Sequence, residues 1–212
     1  MKKILITGFE PFAGARVNPS EEIARALDGR VVAGHQVIGA VLPCVFGGSI
    51  AELKRWLKIV RPELVICVGQ AGGRKEITPE RVAINVDDAR IADNSGAQPI
   101  DAPVARGGPA AYWSTLPIKA IVAALHREGL PAAISQTAGT FVCNHLFYGL
   151  RRALARRPGV RGGFIHVPFL PQQAKRGQPS LKLCEMITGL TVVARTAITT
   201  RQDLAQTGGQ TH

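Results

Sequence analysis

Short apolar runs alternating with amphipathic helical stretches predict an α/β fold, a single-domain three-layer α/β/α arrangement with a mostly parallel twisted sheet and helices on both faces. Three observations carry that expectation. Residues 3–7 and 64–68 are apolar almost throughout, as strands buried on both faces are. Helix-start signals fall between such runs, as in Asn18-Pro19-Ser20-Glu21, with Asn as cap, Pro at the first position and an acid three residues after the cap. The length, 212 residues, suits one domain with a sizeable core.

In chain order, residues 3–7 give a strand, residues 8–14 a loop, and the Asn18-capped helix runs through Ile23, Ala24 and Leu27 to Gly29. Residues 31–42 read as a second strand. Ser49-Ile50-Ala51-Glu52 has the spacing of a capping box and opens a helix to about Val60. The strand at 64–68 follows. Residues 80–86 alternate as a strand with one polar face, and 87–111, rich in Asp, Pro and Gly, read as a long functional loop. Ile118 to Glu128 is a helix stopped by Gly129, residues 131–135 a short buried strand, and Leu146, Leu150, Ala153 and Leu154 recur at helical spacing after Cys143. Residues 163–167 form a strand ended by Pro168, and a last helix runs from Ser180 to about Thr200. The expected organisation is one catalytic domain over 1–200 and a frayed tail over 201–212.

Composition narrows the class. Hydrophobic residues make up 46% of the chain, the level of an ordinary globular protein. No apolar run reaches the roughly 18 residues of a membrane helix, and Lys2 and Lys3 are followed too soon by Glu10 for a signal-peptide core. Cys44, Cys67, Cys143 and Cys184 form no C-x-x-C pair and no zinc spacing, so a reducing, cytoplasmic setting with free thiols and no metal is expected. The formal net charge of +11 raises nucleic acid as a partner. The basic residues are scattered, however. The densest group, Arg151, Arg152, Arg156, Arg157 and Arg161, falls at the C-terminal end of one helix, where cations complement the dipole. No specific nucleic-acid or membrane partner is therefore expected.

One segment points to chemistry. Gly139-Thr140-Phe141-Val142-Cys143-Asn144-His145 places a cysteine where a strand should hand over to a helix. A thiol there meets the positive end of the macrodipole and N–H groups without intrahelical partners, which favour thiolate and offer a cradle for an oxyanion. The other cysteines read as structural: Cys67 in an apolar run, Cys44 at a strand end, Cys184 among Leu181, Leu183 and Ile187. A thiolate nucleophile needs a base. His145 is about 200° around the helix from Cys143. His126 ends a helix, His212 is in the tail, and His35 sits mid-strand without polar company. His166, near the C-terminal end of a strand, stands where a parallel sheet presents its functional groups. Glu80, Asp87, Asp88 and Asp93 are all candidates to orient the imidazole, and periodicity does not choose among them. The glycines of 8–14 and 69–74 match neither a P-loop nor a dinucleotide fingerprint. Phe9 and Phe12 serve equally well as pocket wall or as core.

Taken together, several segments resemble the pyroglutamyl peptidase I family of cysteine peptidases over nearly the full length. They are Thr7-Gly8-Phe9-Glu10-Pro11-Phe12 with Asn18-Pro19-Ser20, Gly69-Gln70-Ala71-Gly72-Gly73-Arg74, Ile77-Thr78-Pro79-Glu80-Arg81-Val82-Ala83-Ile84-Asn85, Asp93-Asn94, the cysteine segment, and Phe164-Ile165-His166-Val167-Pro168-Phe169-Leu170-Pro171. The resemblance implies a Cys143–His166–Glu80 triad that releases N-terminal 5-oxoproline from peptides without metal or cofactor. It also implies Phe9, Phe12, Gln70, Phe141 and Val142 as substrate-binding residues, Arg90 with Cys143 at the oxyanion, and a cytoplasmic homo-oligomer, commonly a homotetramer. Ala13 stands where the family frequently has glycine, and Ala92 where it frequently has proline. Another amidase on the same triad, or an inactive basic binding protein on this scaffold, are the rival readings.

Overall fold

The computed structural model describes residues 1–209. Its strands are β1 (Lys2–Phe9), β2 (Val31–Val32), β3 (His35–Leu42), β4 (Leu64–Gln70), β5 (Thr78–Pro79), β6 (Val82–Ile84), β7 (Ala111–Trp113) and β8 (Arg161–Val167). Its helices are α1 (Pro19–Leu27), α2 (Gly48–Val60), α3 (Ile118–Arg127), α4 (Val142–Leu154) and α5 (Leu183–Thr199). The main sheet has the order β2-β3-β1-β4-β8-β5. Its central strands β3, β1, β4 and β8 are parallel, and the two edge strands run antiparallel.

Alternation along the central strands divides the core into two layers. Ile4 and Ile6 of β1 with Leu64, Ile66 and Val68 of β4 face α1, α3 and α5, where Ile23, Ile121 and Leu190 meet them. Leu5 with Val65 and Cys67 faces α2 and α4, where Leu53, Leu57, Leu146 and Leu150 lie. Each apolar strand residue thus has a helix above or below it, and three layers result.

The structure departs from the sequence reading at several elements. The strand expected over 31–42 is a hairpin, because Ala33 (φ 48°) and Gly34 (φ 75°) turn the chain between β2 and β3. The strand expected over 80–86 shrinks to β6, which pairs with β7 in a separate two-stranded ribbon, while β5 just before it joins the main sheet. Residues 131–135 make isolated bridges, Ala132 with Ile77 and Ser135 with Glu80, rather than a strand. The two-residue β5 gives them no longer edge to join. Helix α2 begins at Gly48 after Gly47 (φ 71°), with no side-chain cap. Ser49 therefore lies inside the helix and the capping box does not form. At α1 the expected cap is present, with Asn18 Oδ1 accepting the Ser20 N–H at 3.1 Å. Residues 201–209 are held at several points. Asp203 accepts the Lys119 and Ala120 N–H groups at the start of α3, and Gly208 O accepts from Arg81 Nη2. His212 lies outside the described residues.

Candidate active site

The carboxyl ends of β4 and β8 carry the site, where open α/β sheets gather their functional groups. β5 runs antiparallel to β8 with Thr78 opposite His166, and the Glu80 N–H donates to Phe164 O at 2.9 Å. This register delivers the Glu80 carboxylate to the imidazole, whose Nδ1 lies 2.7 Å from Glu80 Oε1. Glu80 is fully buried and His166 nearly so. The carboxylate fixes the proton on Nδ1, leaving Nε2 as the nitrogen available for proton transfer.

Arg74 is the second partner of Glu80. Its Nη1 donates to Glu80 Oε1 at 2.7 Å and to Thr78 Oγ1 at 2.6 Å, and its Nη2 donates to Thr137 O at 3.1 Å. Burial acts most strongly on the Glu80 carboxyl and would raise its pKa. The hydrogen bond and charge of His166, with the Arg74 guanidinium, outweigh burial and hold it below the usual carboxylate range. Sequence reasoning gave Arg74 no role. The signal was available, because an acid buried on a sheet edge needs a cation and Arg74 closes the glycine turn just before β5.

Cys143 reaches the same place from the other side. Gly139 (φ 78°) turns the chain, Phe141 stands extended as N-cap of α4, and Cys143 occupies the second helical position. Its sulfur rests on the end of β4, where a Cβ added at Gly69 would come within 2.8 Å of Sγ. Gly69 is the register partner of His166 across the β4–β8 pair. The Cys143 sulfur therefore sits over the residue beside His166. Cys143 and His166 open together into a cavity of about 1100 Å³.

The expected low-pKa thiol is not what the unliganded geometry gives. Burial first, then Cys44 and Glu80, push the Cys143 thiol up, and Arg74 opposes them. Enclosure thus works against the thiolate that the helix terminus favours. Cys44 and Cys67 are buried as expected, and burial is the main cause that pushes both to about 12. Cys184, read as buried, is exposed on the first turn of α5.

Of the residues expected around the substrate, Phe12, Gln70, Phe141 and Arg90 line the cavity. The Phe12 and Phe141 rings face one another at 6.1 Å between centroids, tilted by 40°. Phe9 and Val142 do not reach the wall; both are buried in the core between the sheet, α2 and α4. Phe9 packs instead on Phe164, which itself packs on the His166 ring. At β1 the inward side of the pleat claims Phe9, and only the loop beyond, with Phe12, is free to reach the pocket. Arg90 is carried on a loop fastened at both ends, by Asp88 N–H to Thr140 O and Thr140 Oγ1 to Asp88 O, and by Ala89 N–H to Pro99 O. Beyond Ala92, Asp93 stiffens the loop by accepting from Ser95, Ala97 and Phe46 N–H groups.

The rejected candidates have other employment. Asp87 binds His145, Asp88 is exposed, and Asp93 caps its turn. His145 Nδ1 is 2.8 Å from Asp87 Oδ2, and its Nε2 accepts the Gly47 N–H. His35, expected to lack polar company, lies 3.3 Å from Glu63 Oε2. Asn144, next to Cys143 and fully buried, ties α4 to the β6 segment through the Ile84 N–H, Ile84 O and Val86 O. That clamp was also not read from sequence.

A family profile described as pyroglutamyl peptidase matches residues 2–200. The chain belongs to the pyroglutamyl peptidase family. It is 57% identical over 216 residues to a pyrrolidone-carboxylate peptidase of Cupriavidus taiwanensis, covering all of both chains. The crystal structure of Bacillus amyloliquefaciens pyroglutamyl peptidase I superposes with a TM-score of 0.93 at 50% identity, over 96% of this chain and all of the other. A mutant pyrrolidone carboxyl peptidase from Pyrococcus furiosus gives a TM-score of 0.90 at 41% identity, over 93% and 98%. The family match ends at residue 200.

Proposed function

We propose that this chain hydrolyses the bond after an N-terminal pyroglutamyl residue through a Cys143 acyl-enzyme, with Glu80, Cys143 and His166 as its triad. The observation that carries this is the convergence of the Cys143 sulfur, resting over Gly69, and its register partner His166, bonded from behind to buried Glu80, on a cavity flanked by Phe12 and Phe141. Family membership supplies the substrate class.

Cys143 Sγ attacks the pyroglutamyl carbonyl as His166 Nε2 takes its proton. Negative charge then develops on the carbonyl oxygen, which the Cys143 N–H and the Arg90 guanidinium stabilise. Glu80, itself held by Arg74, favours the imidazolium that forms. His166 returns the proton to the leaving amine, and the thioester remains. Water, deprotonated by the same nitrogen, attacks it and frees pyroglutamate and the thiol. The chemistry calls for no metal or cofactor.

The lactam ring is flat and neutral, so two aromatic faces and a few hydrogen bonds suit it. Phe9 and Val142 support this pocket from behind rather than touching the ring. The Glu10 carboxylate accepts from Cys44 N–H and Asn94 Nδ2, and so is committed to the fold. By the same kinship the protein is proposed to work in the cytoplasm as a homotetramer, a mass that light scattering measures directly. A comparison of pyroglutamyl and prolyl amides tests the substrate. A site that hydrogen-bonds the lactam carbonyl should favour the former by a factor on the order of 10⁴ in kcat/KM. Comparable values for the two overturn the assignment.

A further inference from the structure

Gln70, at the end of β4, and Gln173, in the turn after β8, lie side by side on the cavity wall. We propose that Gln173 is a positioning residue that sets the direction of the Gln70 amide, so that Gln70 presents its NH₂ group to the lactam carbonyl. This rests on the pyroglutamyl reading of the site.

An amide can sit either way round, and its orientation must be read from partners of fixed polarity. Gln173 has one at each end. Its Oε1 is 2.9 Å from the Leu170 N–H, which can only donate. Its Nε2 is 3.0 Å from the Val17 carbonyl, which can only accept. Turning Gln173 over would set oxygen against oxygen and N–H against N–H, so backbone fixes its direction. The remaining Nε2 proton points at Gln70 Oε1, 2.9 Å away. Gln70 must therefore face Gln173 with its oxygen and keep its two donors for the other side.

The consequence is chemical polarity in the pocket. A free glutamine would offer donor or acceptor according to the ligand, and so would accept a ring bearing either. One held by Gln173 offers a donor, which a lactam carbonyl satisfies and a ring methylene does not. A group left without its partner in such a pocket weakens binding. Val17 adds that the turn after β8 is tied to the loop before α1 through the same side chain.

Gln173→Met keeps the length and removes all three hydrogen bonds, whereas Gln173→Glu keeps the acceptor for Leu170 N–H and replaces the donor facing Gln70 by an oxygen. That oxygen invites Gln70 to turn over and present Oε1 to the substrate. The measurements are kcat and KM for a pyroglutamyl amide, inhibition by 2-pyrrolidone, and the rate of Cys143 alkylation by iodoacetamide. For Gln173→Met we expect KM and the 2-pyrrolidone inhibition constant to rise roughly tenfold, the scale of one hydrogen bond, and for Gln173→Glu a larger rise. The alkylation rate should stay within about twofold, because Gln173 touches no triad member and the probe has no lactam. Unchanged KM and inhibition in both variants overturn the proposal, as does an equal loss in alkylation, which would mark a general structural role. An order in which Met is worse than Glu also overturns it. Failure of the parent reading looks different: the unaltered protein would then turn over no pyroglutamyl amide, whatever stands at 173.

Discussion

Among the described residues, two histidine–carboxylate pairs have nearly equal geometry and different surroundings. His166 Nδ1 is 2.7 Å from Glu80, and His145 Nδ1 is 2.8 Å from Asp87. All four residues are buried. The difference lies at the far nitrogen and behind the acid. His145 Nε2 is closed off by the Gly47 N–H at the start of α2, and among the described residues no lysine or arginine pairs with Asp87. His166 opens toward the cysteine cavity, and Glu80 is backed by Arg74. A buried imidazole–carboxylate contact thus serves both a strut and the residue proposed as catalytic base. Which nitrogen is left over decides the role.

Replacing each histidine gives the largest contrast. His166→Ala should reduce kcat by a factor on the order of 10⁴ while the protein stays folded. His145→Ala should leave kcat of the folded fraction within a few-fold but cost about 3 kcal/mol or more of stability, because buried Asp87 loses its partner. Steady-state kinetics with denaturant unfolding separates the two. Equal kinetic losses would erase the distinction.

The acids come next. Glu80→Gln should lower kcat on the order of 10³-fold, since a neutral amide orients His166 without stabilising its cation. Asp87→Asn should change kcat little. Glu80 also leaves a thermodynamic trace. Its folded pKa lies below the unfolded value of about 4.3, so its stabilising contribution is present above that pH and is lost as pH falls through the folded pKa. Melting temperatures from about pH 6 down to pH 3 should therefore fall less steeply in Glu80→Gln than in the parent. A parallel decline would mean that Glu80 titrates normally.

Thiol labelling probes the cavity itself. With burial pushing the Cys143 thiol up, its alkylation should accelerate steadily from about pH 6 to pH 9, and inactivation should track that label. Cys184 should label without loss of activity, and Cys44 and Cys67 should remain unlabelled while the protein is folded. A fast plateau below neutrality would instead reveal a standing thiolate–imidazolium pair. The smallest effect is expected at Ala13, whose φ of 52° lies in the left-handed region. Ala13→Gly should relieve strain by about 1 kcal/mol, less the entropy that glycine adds to the unfolded chain, a shift for differential scanning calorimetry. Marked destabilisation would show that Ala13 packs usefully despite its backbone.

The parts of this molecule most legible in sequence were those set by local periodicity and by single backbone demands. The run at 64–68 announced β4, Asn18-Pro19-Ser20 announced the start of α1, and the glycine before Cys143 announced the turn into α4. The left-handed backbone at Ala13 is a conformation that glycine takes at no steric cost. Residues 131–135 misled because an apolar run does not say how long a neighbouring strand it will find. Phe9 and Phe12 show the same limit, since a pleat decides which aromatic is sealed inside and which reaches the pocket. Gln173 and Asn144 were invisible for another reason: each works through partners distant in sequence, and no spacing rule encodes such a meeting.

Gly69 carries a consequence for how this protein could vary. Any larger residue there would collide with the Cys143 sulfur and, equally closely, with the Phe164 ring. In genetic language the two positions are epistatic: alanine at 69 is a lesion whose suppressors must hollow out the neighbourhood, and the most direct of them, shrinking residue 143, abolishes the nucleophile. A protein that keeps the cysteine is therefore expected to keep glycine at 69, whereas one that has lost it is freer to vary there. The residue on which the nucleophile rests is thereby a marker of whether the enzyme is still alive.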